Sequence, residues 1–320
     1  MLLLALLCLI VFEGMFIVLS RRYMLGAKVT SRSSHTHVTP TAGGIVTVVA
    51  ALAGALFNFD IMSVNDWIVM SLGITLAIVS FVDDLHPLPA LPRLIVQIIA
   101  VGSSFWWLCY PEALPFYILV VFGGVAFVNG LNFLDGICGM LSLYCAVLVG
   151  TLWWAFEYIA PTYSSSYLYT EWCKWIMLGI VTFMVFNFRD LVFSGDTGSV
   201  FLGFIAAVLL ANLIIAERSI AYLVLVVVCF CDTGLTTFQR LLKGKNIFLP
   251  HRTFIYQLIT SQWRIPHLAV SCTYAGLQLI ISVVFFVIPE AWHYFYLIGV
   301  TVALSACYIV LRRQLKTSEL

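Results

Sequence analysis

Apolar residues in this chain fall into long unbroken runs, not into alternating or heptad patterns. A helix needs roughly 20 apolar residues to cross a bilayer. On that yardstick the runs at 2–20, 44–59, 67–82, 94–110, 115–128, 138–158, 173–187, 199–215, 219–237, 268–288 and 292–311 predict eleven membrane helices. The polar segments between them are short, the longest being 238–267, and no repeat, low-complexity tract or separate soluble domain interrupts the pattern. The expected fold is therefore all-α, a polytopic integral membrane protein with about eleven transmembrane helices and a single domain over 1–320.

Composition agrees: 62% of the residues are hydrophobic and 10% charged, which excludes a soluble globule with a water-facing exterior. The net charge of +1, with no dense basic stripe, gives no footprint for nucleic acid. Most of the nine cysteines sit in apolar runs without CxxC spacing, so neither a disulfide framework nor a zinc site is expected.

The first run is followed, not preceded, by Arg21, Arg22, Lys28 and Arg32, the reverse of the charge order in a cleavable signal peptide. Placing its start outside puts 14 of the 16 basic residues in the cytoplasm, leaving only Lys174 and Arg218 outside. That asymmetry predicts an external N-terminus and a cytoplasmic C-terminus.

Sidedness also gathers the unusual polar residues. Asp83-Asp84, the segment Asn129 to Gly136, the Asp196 loop, and Asp232 through His251-Arg252 follow the third, fifth, seventh and ninth helices. All therefore emerge on one face, and the loop Arg21–Gly44 joins them. Six aspartates (Asp83, Asp84, Asp135, Asp190, Asp196, Asp232) lie there against two, Asp60 and Asp66, on the other face. Carboxylates at span ends are costly and usually meet a polar cavity or a partner.

Each stretch has an ordinary reading when taken alone. Gly195-Asp196-Thr197-Gly198-Ser199 is more often a simple turn, although its backbone N–H groups and hydroxyls would suit a phosphate and its aspartate a divalent cation. An adjacent Asp-Asp pair is more often a solvated helix end, and a His-Arg pair a membrane-surface anchor. Asn129, Asn132 and Asp135, spaced i, i+3, i+6, would share a helical face and either read a base or hold metal-bound water. Gly43-Gly44 most simply permits close packing.

The ordered set resembles a known family, the polyprenyl-phosphate N-acetylhexosamine-1-phosphate transferases of bacterial envelope synthesis. The resemblance rests on TPTAGGI at 39–45, FVDD at 81–84, NGLNFLDGICGM at 129–140, VFSGDTGS at 192–199 and PHRTFIYQ at 250–257. It implies transfer of a sugar 1-phosphate from a UDP-N-acetylhexosamine to undecaprenyl or another polyprenyl phosphate, releasing UMP, with Mg²⁺ (or Mn²⁺) required. By the same match Asp196, with Asp84, would hold the metal. Asp83 would position or deprotonate the lipid phosphate beside Asp84, and His251 completes the catalytic set. Asn129, Asn132, Asp135, Phe193, Arg252, Gly43 and Gly44 would bind substrate, with Phe193 placed to stack on uracil.

Three departures from the family pattern stand out. Phe254 replaces a histidine, the Asn187–Asp196 interval is one residue short, and Thr36 stands where peptidoglycan-branch members carry a lysine. Of these, Thr36, together with the HRxHxYQ-like loop, points to the O-antigen and capsule branch, whereas Phe254 bears on the loop's catalytic contribution and sugar selection, and the short interval on the role of Asn187. The resemblance further implies a bacterial inner-membrane protein with a cytoplasmic active site and the lipid bilayer as partner. Large apolar faces would suit either a homodimer or lipid. A transporter or flippase for an anionic metabolite is the reading from another class, and would call for acids near the midplane and inverted repeats.

Overall fold

The computed structural model describes residues 1–23, 26–27, 39–109, 114–163, 165–247, 249 and 251–315. Thr36 and Pro250 lie outside the described residues. The elements are α1 (Leu2–Arg22), β1 (Gly26–Ala27), β2 (Thr39–Pro40), α2 (Ile45–Phe57), α3 (Val64–Leu85), α4 (Ala90–Cys109), α5 (Leu114–Asn132), α6 (Met140–Tyr158), α7 (Ser166–Asn187), α8 (Gly195–Ala216), α9 (Val227–Leu242), α10 (Ile255–Gln262), α11 (His267–Val287) and α12 (His293–Gln314). β1 and β2 form a two-residue antiparallel ladder, Gly26 opposite Pro40, and the rest of the regular structure is helical.

Among the described residues nine helices are long and apolar enough to span a membrane, and Ile45–Phe57 and Ala90–Trp106 are shorter apolar helices. These segments coincide with the eleven predicted runs. Three local differences have physical causes. The 3₁₀ stretch Ile220–Val226 leads into α9, so that run is continuous but not uniformly α-helical. α7 begins at Ser166, inside the segment expected to be an external loop, because Leu168, Tyr169 and Trp172 bury themselves in the core. α10, unforeseen within the loop after α9, forms because the Asp232 carboxylate on α9 accepts the N–H groups of Ile255 (2.8 Å) and Tyr256 (3.2 Å) at its start.

α8 is the axis of the bundle. It is apolar all round, and every residue from Thr197 through Leu210 is buried. α2 crosses it at a contact that only glycine permits: a Cβ on Gly44 would overlap Gly198 Cα, and one on Gly198 would overlap Gly44 Cα. Gly43 N–H donates to Phe193 O (2.9 Å) and Gly44 N–H to Ser194 O (3.0 Å), so the start of α2 is fastened to the segment entering α8. At the periphery α12 buries only His293 and Tyr308.

The crossing yields a stability prediction. Gly44→Ala and Gly198→Ala should each cost about 1–3 kcal/mol, read as a lower thermal midpoint in detergent. Gly276→Ala, where nothing stands within 4 Å of the added methyl, should leave the midpoint unchanged or raise it. Equal midpoints for all three would show that the contact does not constrain the fold.

Candidate active site

Of the predicted residues, Asp83, Asp84, Asp135 and Asp196 converge at the start of α8. Asp196 sits inside the helix, in its first turn, and not in a loop ahead of it. Gly195 has φ +68°, and a Cβ there would come within 2.5 Å of an Asp84 oxygen, so the entry requires glycine. The anion that the α8 N-terminus receives is Asp84, at the end of α3. Its Oδ1 accepts the Asp196 N–H (3.0 Å), and its Oδ2 accepts the Thr197 N–H (3.0 Å) and hydroxyl (2.6 Å). A carboxylate at a helix N-terminus gains from both the unpaired N–H groups and the helix dipole.

Asp83, one residue earlier, faces another partner. Its Oδ1 accepts the Leu88 N–H (2.6 Å) and its Oδ2 pairs with Nη1 of Arg93. The same Nη1 lies 2.8 Å from Asp196 Oδ2, so one guanidinium nitrogen bridges two of the motif aspartates. Arg93 Nε is buried without a partner among the described residues. From the sequence alone Arg93 is only a cytoplasmic charge. Its cue was its place ten residues beyond Asp83, at the start of the next apolar run.

Asn129, Asn132 and Asp135 do not act as one strip. The Asn129 amide donates to Gln97 Oε1 on α4 (2.7 Å), and Asn132 Oδ1 accepts the Ser199 hydroxyl on α8 (2.6 Å). Asp135 lies past the end of α5, where the Gly195 N–H donates to its carboxylate. Burial, followed by the charges of Asp84 and Asp196, pushes the Asp135 pKa up to about 8. Asn187 is buried and ties two segments together, its Oδ1 accepting the Gly139 N–H (2.9 Å) and its amide donating to Val192 O (2.9 Å). The short interval to Asp196 therefore keeps Asn187 as a brace for the segment leading into α8.

The His251 loop leans on the same turn. Tyr256 hydroxyl donates to Phe133 O (2.5 Å), and the His251 ring lies 6.4 Å from the Phe133 ring, centroid to centroid. His251 Nδ1 is 2.9 Å from the Thr253 hydroxyl. Burial and the positive charges of Arg240 and Arg312 lower its pKa to about 4, so the ring is neutral at pH 7. Arg252 is exposed. Phe254 is buried, with its ring 4.7 Å from that of His251 and 5.3 Å from that of Phe133. It serves as packing beneath the loop. Phe193 is half-buried, and its backbone bonds to Pro40 O and Gly43 N. Gly43 and Gly44 likewise spend their N–H groups on the entry to α8.

Among the described residues no three His, Cys, Asp or Glu side chains form a ready metal cage. The donor chemistry nonetheless fits a hard divalent ion. The carboxylates of Asp84, Asp135 and Asp196 repel one another through space, and Mg²⁺ is commonly held by one or two carboxylates plus substrate phosphate.

The His251 environment gives a pH prediction. Because its folded pKa lies below the unfolded 6.5, the unfolded chain binds the proton more readily, and this group destabilises the fold as pH falls from 6.5 towards 4. In histidine-labelled protein, the resonance lost in His251→Gln should stay at its neutral-ring position between about pH 6 and 8. A midpoint near 6.5 would show that the ring is not shielded.

Residues 67–214 match the family model described as glycosyl transferase family 4. The chain is 28% identical over 260 residues to a phospho-N-acetylmuramoyl-pentapeptide-transferase of Lactobacillus helveticus, covering 71% of this chain and 78% of that one. It is 26% identical over 284 residues to an undecaprenyl-phosphate alpha-N-acetylglucosaminyl 1-phosphate transferase of Salmonella typhi, covering 78% and 73%. A probable undecaprenyl-phosphate N-acetylglucosaminyl 1-phosphate transferase of Bacillus subtilis is 22% identical over 261 residues, covering 71% and 67%. The matched region runs from α3 through α8 and so contains Asp83, Asp84, Arg93, Asp135 and Asp196. The chain is thus similar to both kinds of transferase, and these similarities do not distinguish between them.

Proposed function

We propose that this protein transfers an N-acetylhexosamine 1-phosphate from its UDP-sugar to a polyprenyl phosphate at the cytoplasmic face of a bacterial inner membrane. The observation that carries the reading is the convergence on the α8 N-terminus of aspartates from three motifs, bridged by Arg93. Similarity to transferases of two kinds supports the reaction class. The excess of basic residues on the side carrying these motifs supports the cytoplasmic orientation. The HRxFxYQ loop favours an N-acetylhexosamine without a pentapeptide, as in O-antigen or capsule initiation. A transporter would place paired acids inside the spans. Here Glu157 accepts the Trp153 indole N–H (2.9 Å), while Glu13 abuts Gly43 from α1.

In this reading an oxygen of the lipid phosphate attacks the β-phosphorus of the UDP-sugar. The bond from that phosphorus to the bridging oxygen breaks, and UMP leaves with the electron pair. Two anions must meet, so the chain's task is to offset charge and hold both reactants in line. Asp196 and Asp84 are the residues that would hold Mg²⁺, which when bound supplies positive charge to the diphosphate. Arg93, already bridging Asp83 and Asp196, is positioned to contribute a guanidinium to the phosphates. Asp83, next to Asp84, presents its carboxylate to the lipid phosphate, accepting its proton or orienting it. Neutral His251 offers a hydrogen bond to the diphosphate or sugar, and Arg252 a positive charge. Phe193 supplies an aromatic face for uracil.

The test is UMP release by purified protein from a panel of UDP-N-acetylhexosamines, with undecaprenyl phosphate and Mg²⁺. Release should require both the lipid and the metal. Asp196→Asn should abolish it. Arg93→Gln should slow it about 10²- to 10³-fold, with Arg93→Lys partly restoring the rate. No UMP from any sugar, with folded protein, would refute the reaction. Normal turnover in Asp196→Asn would remove that residue from the site.

A further inference from the structure

A second polar site lies at the other end of α8. A cavity of about 160 Å³ is enclosed by α3, α4, α7, α8 and the segment before α7. Its lining includes Asp66, Ser104, Tyr163, Tyr169, Trp172 and Asn212. Asn212 is 16 positions beyond Asp196 on α8, or roughly 24 Å along the helix, so the cavity is remote from the aspartate cluster. Its rim residues Ser63 and Asn65 are exposed, whereas Ser104, Trp172 and Asn212 are buried.

Polar groups deep in an apolar bundle are costly, and this cavity has one that the protein leaves unmet. The buried indole Nε1 of Trp172 has no hydrogen-bond partner among the described residues. Other lining groups are engaged but retain capacity. Asn212 Oδ1 accepts the hydroxyls of Tyr163 (3.1 Å) and Tyr169 (3.0 Å), leaving lone pairs on both phenol oxygens. The Asp66 bonds to the Ser63 N–H (2.8 Å) and hydroxyl (2.6 Å) both use Oδ2. Burial and then the Asp66 charge raise the Tyr163 phenol, placing that charge in the same environment.

These groups define the chemistry of an occupant. Asp66 is the single charged residue in the lining, which disfavours an anion. A bare cation could meet the free Oδ1 of Asp66 but would leave the Trp172 N–H without an acceptor. Hydroxyl groups both accept from the indole and donate to the oxygens, and the Trp172 and Tyr169 rings offer apolar faces to C–H groups. We propose that this cavity binds a small neutral polyhydroxylated molecule, a polyol or a monosaccharide, entering from the end of the bundle opposite the aspartate cluster. The space equals that of roughly five waters, the size of a glycerol to a small sugar ring.

Saturation-transfer NMR on the full chain in nanodiscs tests this with glycerol, glucose and N-acetylglucosamine as probes. At least one should give a saturable signal. Trp172→Phe, which deletes the indole N–H and keeps an aromatic ring, should weaken it about tenfold. Val208→Phe, filling the cavity from α8, should abolish it. Thermal midpoints identify folded variants, and if Val208→Phe fails to fold, Trp172→Phe decides. Competition by phosphatidylglycerol but not phosphatidylcholine would assign the hydroxyls to a lipid headgroup. No competition would assign them to a soluble molecule, and both results support the site. The absence of any saturable signal, or unchanged affinity in Trp172→Phe, would overturn the proposal and leave the cavity to water.

Discussion

The hydrogen bonds from the start of α8 to the Asp84 carboxylate are the contact on which the rest of the site depends. They join two long apolar helices at their polar ends, where neither hydrocarbon nor helix pairing can supply a partner. A helix beginning inside a bundle leaves its first N–H groups without intrahelical acceptors. Here a neighbouring helix supplies the acceptor, and in doing so it fixes Asp83 and Asp196 on either side of one Arg93 nitrogen. Asp232 repeats the device at α10, where its carboxylate starts the helix that carries the His251 loop inward. Asp84 and Asp232 thus each fix the start of a helix by accepting its N–H groups.

Much of this architecture was readable because membrane helices write themselves in hydropathy. All eleven runs correspond to helices, since the bilayer fixes their length and removes any other way to satisfy the backbone. Sequence order and sidedness correctly brought the Asp84 and Asp196 stretches together. What the chain could not announce was which partner each polar group takes. Equal spacing of Asn129, Asn132 and Asp135 suggested one surface, yet α5 ends after Asn132, and the three turn to α4, α8 and the α8 entry. Arg93 was hidden for a related reason: a lone arginine beside an apolar run looks like an interfacial anchor until a distant helix is packed against it.

The departures from family pattern also become physical statements. Phe254 fills space between Phe133, His251 and Tyr256, so the loop keeps its shape through aromatic packing where a histidine could supply hydrogen bonds. In the interval before Asp196, Asn187 links Gly139 to Val192 with its side chain.

The unequal covering of the helices bears on which side chains each helix can accept. α8 meets protein on every side, whereas α12 buries only His293 and Tyr308, rests one face with Leu297, Val300 and Leu304 on the core, and is tied at its end by Arg312 to Gln239 and Thr253. Along the outer face of α12, at Phe295, Ile298, Val302 and Ile309, the bilayer asks only for oiliness, a demand that many side chains satisfy equally well. α8 has no such freedom: each residue from Thr197 through Leu210 must fit a neighbour already in place.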